Sequence, residues 1–145
     1  MNPPRLVLDT GVLLALFNQR DPEHDNAVSG FRNLETNRTA LHAPACVVLE
    51  TAKRLLFDVN AEAMRGATAA MLESFEVQDT TPRIIQDALE LIGEMKRWGA
   101  TLEDAIVIQM ALTLNAPVWT FNYRDFAPIK TLQFWTPQSV FGNPL

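Results

Sequence analysis

Short apolar runs alternate along the chain with longer segments in which apolar residues recur every three or four positions. Runs of the first kind predict β-strands, and the longer pattern predicts amphipathic helices. The candidate strands are Arg5 to Leu8, Thr39 to His42, Phe75 to Gln78, Val118 to Phe121 and Thr131 to Trp135. Because strands that alternate with helices are typical of parallel βαβ construction, the pattern predicts an α/β fold, a three-layer α/β/α sandwich with a mainly parallel sheet.

The segments between the strands predict six helices, from apolar spacing together with start and stop signals. They are Leu13 to Asn18, Pro22 to Leu34, Pro44 to about Phe57, Ala61 to Glu73, a helix capped by Thr81 and Pro82 and ended by Gly99, and Leu102 to Leu114. The last helix is apolar on almost every side, which indicates a central position. No repeat, low-complexity tract or linker interrupts the pattern, so we expect residues 1–145 to form a single domain.

Composition narrows the class of protein. A hydrophobic content of 48% with 20% charged residues is typical of a compact globular protein. No apolar run is long enough to span a membrane, and the N-terminus lacks the features of a secretory signal, so we expect a cytoplasmic location. With one cysteine, Cys46, and two histidines, His24 and His42, an internal disulfide and a spaced zinc motif are both excluded.

Four acidic residues stand where the chain is expected to change direction: Asp9, Glu50, Asp104 and Asp125. Asp9 and Asp125 follow predicted strands, Asp104 begins a helix, and Glu50 lies inside an apolar helical segment. Ligands of open parallel sheets bind beyond the carboxyl ends of the strands, at the switch point of the strand order, and all four positions fit that place. Buried carboxylates cost several kcal/mol unless a positive charge compensates them, and a bound cation is the simplest compensation.

Oxygen ligands without a nearby histidine or cysteine favour a hard divalent ion, Mg2+ or Mn2+. Such an ion can lower the pKa of a bound water and stabilise the charge that develops on a phosphodiester. A site of this kind needs no nucleophilic side chain. The four acids therefore indicate metal-dependent phosphoryl hydrolysis.

Each acid also has a purely structural interpretation. Asp9 is suited to a turn or to an N-cap, and Glu50 to an ion pair with Arg54 one helical turn away. Asp104 is the last residue of a capping-box sequence that begins at Thr101, and Asp125 is suited to closing a turn. Only the joint pattern, four acids at compatible positions, favours function.

The sequence resembles the PIN-domain family of ribonucleases, and within it toxins of the VapC type. Four segments carry the resemblance, in order: Leu6 to Leu16, Val47 to Glu50, Leu102 to Ala111, and Pro117 to Phe126. The resemblance spans nearly the whole chain. It implies that Asp9, Glu50, Asp104 and Asp125 are metal ligands and catalytic acids, with Thr10 and Asn122 in support.

The resemblance further implies an endoribonuclease that uses Mg2+ (or Mn2+) and hydrolyses single-stranded or loop RNA through metal-activated water. The expected partners are an RNA substrate, a cognate antitoxin that covers or perturbs the acidic site, and a second copy of the chain. The helical segment from Ala61 to Leu72 is the candidate homodimer interface, and the same segment is equally suited to the core. Two alternatives stay open: an RNA-processing nuclease outside a toxin system, and a non-catalytic PIN-like binding module.

Charge limits how RNA can be bound. A net charge of −5 and a pI near 4.9 weigh against binding of nucleic acid over the whole surface. Local basic residues at the rim of the acidic site could still hold phosphates, and the candidates are Arg20, Lys53, Arg54 and Arg124.

Overall fold

The structure, a computed structural model, describes residues 2–137; Met1 and residues 138–145 of the predicted domain lie outside the described residues. The strands are β1 (Arg5–Leu8), β2 (Ala40–Pro44), β3 (Glu76–Gln78) and β4 (Val118–Trp119). The helices are α1 (Thr10–Phe17), α2 (His24–Thr36), α3 (Ala45–Asp58), α4 (Ala61–Ser74), α5 (Pro82–Gly93), α6 (Leu102–Leu114) and α7 (Tyr123–Phe126). No helix within residues 2–137 is both long and apolar enough to cross a membrane.

The four strands form one parallel sheet in the order β3-β2-β1-β4. Helices flank the sheet, which confirms the predicted three-layer α/β/α sandwich. From β1 the chain moves outward to β2 and β3 on one side, and later returns to place β4 on the other side. The strand order therefore reverses between β1 and β4, and the carboxyl ends of these two strands form the switch point.

The core is built around β1 and α6. Leu6, Val7 and Leu8 are fully buried, because β1 is covered on both faces. Helix α6 is buried at six positions that point in different directions around its axis, as its uniformly apolar sequence predicts: Ala105, Ile106, Val107, Ile108, Met110 and Ala111.

Trp119 holds β4 against α2. Its ring is fully buried and lies 5.0 Å, between ring centroids, from each of Phe31 and Trp135. Gly30 on α2 is the residue that lets the indole approach, since a Cβ at that position would overlap the Trp119 ring. This packing fixes the end of β4, and with it Thr120, the next residue in the chain.

The fifth predicted strand, Thr131 to Trp135, is not a regular strand. It contributes one isolated parallel bridge between Phe134 and Val118, with hydrogen bonds from Val118 N–H to the Gln133 carbonyl and from Trp135 N–H to the Val118 carbonyl. The strand cannot extend because its partner, β4, is only two residues long. One-turn helix α7, which contains Asp125, was not predicted from the sequence.

Candidate active site

Asp9 lies directly after β1, at the switch point, and its side chain is almost completely buried, with 5% exposed. One carboxylate oxygen accepts a hydrogen bond from the Thr10 backbone N–H at 2.8 Å. The other accepts a hydrogen bond from the Thr120 hydroxyl at 2.6 Å. Asp9 is also the N-cap of α1, so its structural interpretation is correct, and the carboxylate is fixed between the ends of two strands.

Thr120 is a site residue that the sequence did not reveal. It directly follows β4, is fully buried, and also accepts a hydrogen bond from the Asn122 N–H at 2.9 Å. The predicted strand extended to Phe121 and therefore included Thr120, whereas β4 ends at Trp119 and leaves Thr120 just beyond its end, as Asp9 lies just beyond β1. Without knowing that β1 and β4 are neighbours, nothing distinguishes it from other threonines.

The pKa of Asp9 is raised to about 6, mainly by burial and also by the nearby Asp104 carboxylate. The hydrogen bonds from Thr120 and Thr10 lower the pKa but do not offset the loss of hydration. Asp9 is therefore a carboxylate held in a place where its negative charge is poorly stabilised.

Glu50 and Asp104 show the same behaviour. Burial is the largest cause of the raised pKa of Glu50, and Glu103, Asp104 and Asp9 each add to it. Burial also raises the pKa of Asp104, with contributions from Asp125 and Glu103. Every charged neighbour that shifts these pKa values is another carboxylate. The fold therefore brings Asp104 within electrostatic range of each of the other three predicted acids.

Glu103 is a fifth acid that the sequence analysis did not select. Glu103 lies within the capping-box sequence, between Thr101 and Asp104. The capping box is present as predicted: the Thr101 N–H donates to the Asp104 carboxylate, and the Asp104 N–H donates to the Thr101 hydroxyl. The residue next to Asp104 thus needs no role in the cap. Its carboxylate instead raises the pKa of Glu50, Cys46 and Asp104.

The structural interpretation of Glu50, an ion pair with Arg54, is wrong. The Arg54 guanidinium instead pairs with Asp58, with 3.5 Å between Nε and the carboxylate oxygen.

Asp125 is partly buried in α7, and one of its oxygens lies 3.8 Å from the point where a Cβ on Gly99 would lie. The loop before α6 therefore passes beside Asp125.

The acids are near one another without forming a ready-made ligand set. Within residues 2–137, no three acidic, histidine or cysteine side chains are close enough to hold a metal ion together. Like charges separate, and Asp9 and Asp104 already accept hydrogen bonds from backbone N–H groups. The donor chemistry nevertheless fits a hard cation, because all the donors are carboxylate oxygens and a cation would offset both burial and mutual repulsion.

A cleft of about 520 Å³ opens beside the acids, and we call it the α3 cleft. Its lining residues are Cys46, Leu49, Glu50, Lys53, Arg54, Thr101 and Glu103. A second cavity of about the same volume lies between α1, α2 and α4, and none of the four acids or Glu103 lines it. The α3 cleft joins two acids of the site, Glu50 and Glu103, to the basic side chains of Lys53 and Arg54.

We expect Asp9 to make the metal-free protein less stable as the pH rises. Its folded-state pKa lies above that of an exposed aspartate, so the folded state binds more protons between about pH 4 and pH 6. The charged form should then lower the free energy of unfolding by about 3 kcal/mol above pH 6. Urea unfolding in EDTA should show Asp9→Asn gaining stability over the wild type across this window, whereas Asp25→Asn, a change at an exposed acid on α2, should show no such gain. Parallel curves for Asp9→Asn and the wild type would contradict the assignment.

Several solved structures share the fold. VapC20 of Mycobacterium tuberculosis, described as a Sarcin-Ricin loop cleaving toxin, superimposes with a TM-score of 0.77 at 19% identity, over 91% of this chain and 99% of that chain. DNA-bound VapBC of Salmonella typhimurium gives a TM-score of 0.70 at 17% identity, over 90% and 96% of the two chains. DNA-bound VapBC2 of Rickettsia felis gives a TM-score of 0.69 at 19% identity, over 90% of this chain and 97% of that chain.

Sequence comparison gives the family. No curated protein matches the sequence of this chain. The family model of the PIN domain matches residues 6–131, which is most of the chain and includes all four predicted acids. The chain belongs to the PIN-domain family.

Proposed function

We propose that this protein is a metal-dependent endoribonuclease that hydrolyses RNA phosphodiester bonds and acts as the toxin of a toxin-antitoxin pair. The observation that carries the proposal is the buried Asp9 at the switch point, with Asp104 close enough to raise its pKa and with Glu50 and Asp125 close to Asp104. No arginine or lysine within residues 2–137 forms an ion pair with these acids. Membership of the PIN-domain family and the likeness to VapC20 support the same function.

Asp9, Glu50, Asp104 and Asp125 are the residues proposed to hold the ion, Mg2+ or Mn2+. When bound, such an ion supplies Lewis acidity to water and to phosphate oxygens. Asp9 is the best-prepared ligand, since Thr10 and Thr120 fix both of its oxygens, as supporting hydrogen bonds do in metal sites. The other three acids would turn toward the ion, because it removes the repulsion that separates them.

The reaction is hydrolysis: a water oxygen bonds to phosphorus while the bond from phosphorus to the leaving ribose oxygen breaks. The leaving oxygen takes up one proton, and the attacking water gives up another. The acids serve this reaction only when deprotonated, because protons compete with the cation for carboxylate oxygens. Burial and mutual repulsion raise the pKa values of Asp9, Glu50 and Asp104, so we expect activity to fall as the pH is lowered through about 6.

Substitution of the acids tests the activity. Asp9→Asn and Asp104→Asn should each lower Mn2+-dependent cleavage of RNA on the order of a hundredfold or more, because each removes a charged ligand. Asp25→Asn, an exposed acid on α2, is the matched control and should keep full activity. Circular dichroism should show all three variants folded.

Retained cleavage in both Asp9→Asn and Asp104→Asn would overturn the site assignment. A wild type that binds RNA and leaves it intact in Mn2+ would favour the alternative of a non-catalytic binding module. Cleavage without any effect on growth would favour an RNA-processing nuclease.

The toxin role rests on the structural neighbours, which include VapBC proteins bound to DNA. We propose a cognate antitoxin, encoded beside this gene, that covers or perturbs the acidic site. Expression of the wild type should arrest growth, expression of Asp9→Asn should not, and co-expression of the neighbouring gene should restore growth. Harmless accumulation of soluble wild-type protein would contradict the toxin role.

We also propose a homodimer, because large apolar side chains are exposed on neighbouring helices. The predicted interface on α4 presents Leu72, which is 60% exposed, but buries Ala67 and Met71 in its own domain. Phe57 at the end of α3 is 75% exposed and is the larger apolar surface. A monomer mass by light scattering at micromolar concentration would contradict the dimer.

A further inference from the structure

The α3 cleft has two chemically different sides. On one side it is lined by Glu50, which is one of the proposed catalytic acids, and by Glu103. On the other side it is lined by Lys53 and Arg54, farther along α3. Its size, about 520 Å³, is in the range of sites that enclose small ligands or single groups of larger ones. A polyanion that reaches the acids through this cleft would therefore pass a positive charge.

Four lining residues form one stripe along α3. Cys46, Leu49, Glu50 and Lys53 are spaced at i, i+3, i+4 and i+7, so their side chains lie on the same face of the helix. Lys53 is thus one turn beyond Glu50 on the same side. A group held by Lys53 would be a direct neighbour of a group held at Glu50.

Lys53 is the cation available in this cleft. It is exposed and forms no ion pair with any acid in the part of the chain that the structure describes. Arg54, by contrast, already pairs with Asp58. The Lys53 ammonium group can therefore bind a phosphate without breaking an existing ion pair.

Leu49 supplies an apolar surface in the same cleft. It is 71% exposed and directly precedes Glu50 in the stripe. A nucleotide has the matching chemistry, an anionic phosphate and a largely apolar base face. Single-stranded RNA can place a base there, whereas a base in a duplex is paired and stacked.

We propose that the α3 cleft binds the nucleotide adjacent to the scissile phosphate of single-stranded RNA, with Lys53 on its phosphate and Leu49 against its base. The proposal rests on the proposed ribonuclease function. Lys53 is a positioning residue, since it acts on binding and not on the reacting atoms. Its loss should raise KM and leave kcat unchanged.

The matched control for Lys53→Gln is Lys130→Gln, which makes the same change in charge elsewhere. Lys130 is exposed and precedes Thr131, which lines a cavity together with Asn115 at the C-terminal end of α6. The acidic site lies at the opposite end of α6, where Asp104 stands in the first turn of the helix. Of these two variants, Lys53→Gln alone should therefore weaken RNA binding and raise the KM for RNA cleavage.

Two measurements test the proposal: binding of a labelled single-stranded RNA oligonucleotide in Ca2+ buffer at several salt concentrations, and cleavage kinetics in Mn2+. Lys53→Gln should reduce the slope of log affinity against log salt by about 0.7, as expected for the loss of one single-strand phosphate contact. It should raise KM roughly three- to fivefold at unchanged kcat. Leu49→Ala should weaken binding of the intact oligonucleotide more than binding of one with an abasic position.

An unchanged salt slope and KM in Lys53→Gln would overturn the proposal, as would equal binding of a duplex of the same sequence. A matching effect of Lys130→Gln would overturn it as well, because the contact would then be general charge attraction. A wild type that binds with these properties and does not cleave would refute the ribonuclease function alone. The two failures are therefore distinguishable.

Discussion

The structure depends on one buried carboxylate, that of Asp9, held between the ends of two parallel strands. The Thr120 hydroxyl and the Thr10 N–H hold it, and burial raises its pKa to about 6. Residues 9 and 120 meet only because β1 and β4 are neighbours across the switch point. The packing of Trp119 against Phe31 and Gly30 keeps β4 in that place, so the core and the site are coupled.

The same constraint explains the charge around Asp9. Glu50, Asp104 and Asp125 come from three different elements. Asp104 raises the pKa values of Asp9 and Glu50, and Asp125 raises that of Asp104. A protein that used these acids only as caps and turn residues would gain nothing from gathering them. A divalent cation would offset part of the local negative charge, and this also lessens the difficulty that a net charge of −5 poses for RNA binding. Lys53 then needs to attract phosphate only locally.

Much of the fold was predictable because its signals are local. Strand β1 was predicted with its observed bounds, since three fully buried residues end at an acid that caps the next helix. The capping box at Thr101 was also predicted, because its two partners, Thr101 and Asp104, are only three residues apart in the sequence. The prediction of a strand from Thr131 to Trp135 was wrong, because the length of such a strand depends on its partner β4, which is very short and lies elsewhere in the sequence.

The site was less predictable for the same reason. Thr120 lies 111 residues from Asp9 in the chain, and its role exists only in the folded sheet. Glu103 was overlooked because the capping box gave its segment a sufficient local explanation. The positions of the four acids agree with their predicted convergence, whereas their roles as metal ligands and catalytic acids stay predictions.

Anomalous diffraction from a crystal of the protein grown with Mn2+ is the most direct test of the central claim, that these acids hold a divalent cation. We predict a manganese peak within bonding distance, about 2 Å, of an Asp9 oxygen, with Asp104 turned toward the same ion. A crystal with Mn2+ bound elsewhere, and with Asp9 still bonded only to Thr10 and Thr120, would contradict the claim.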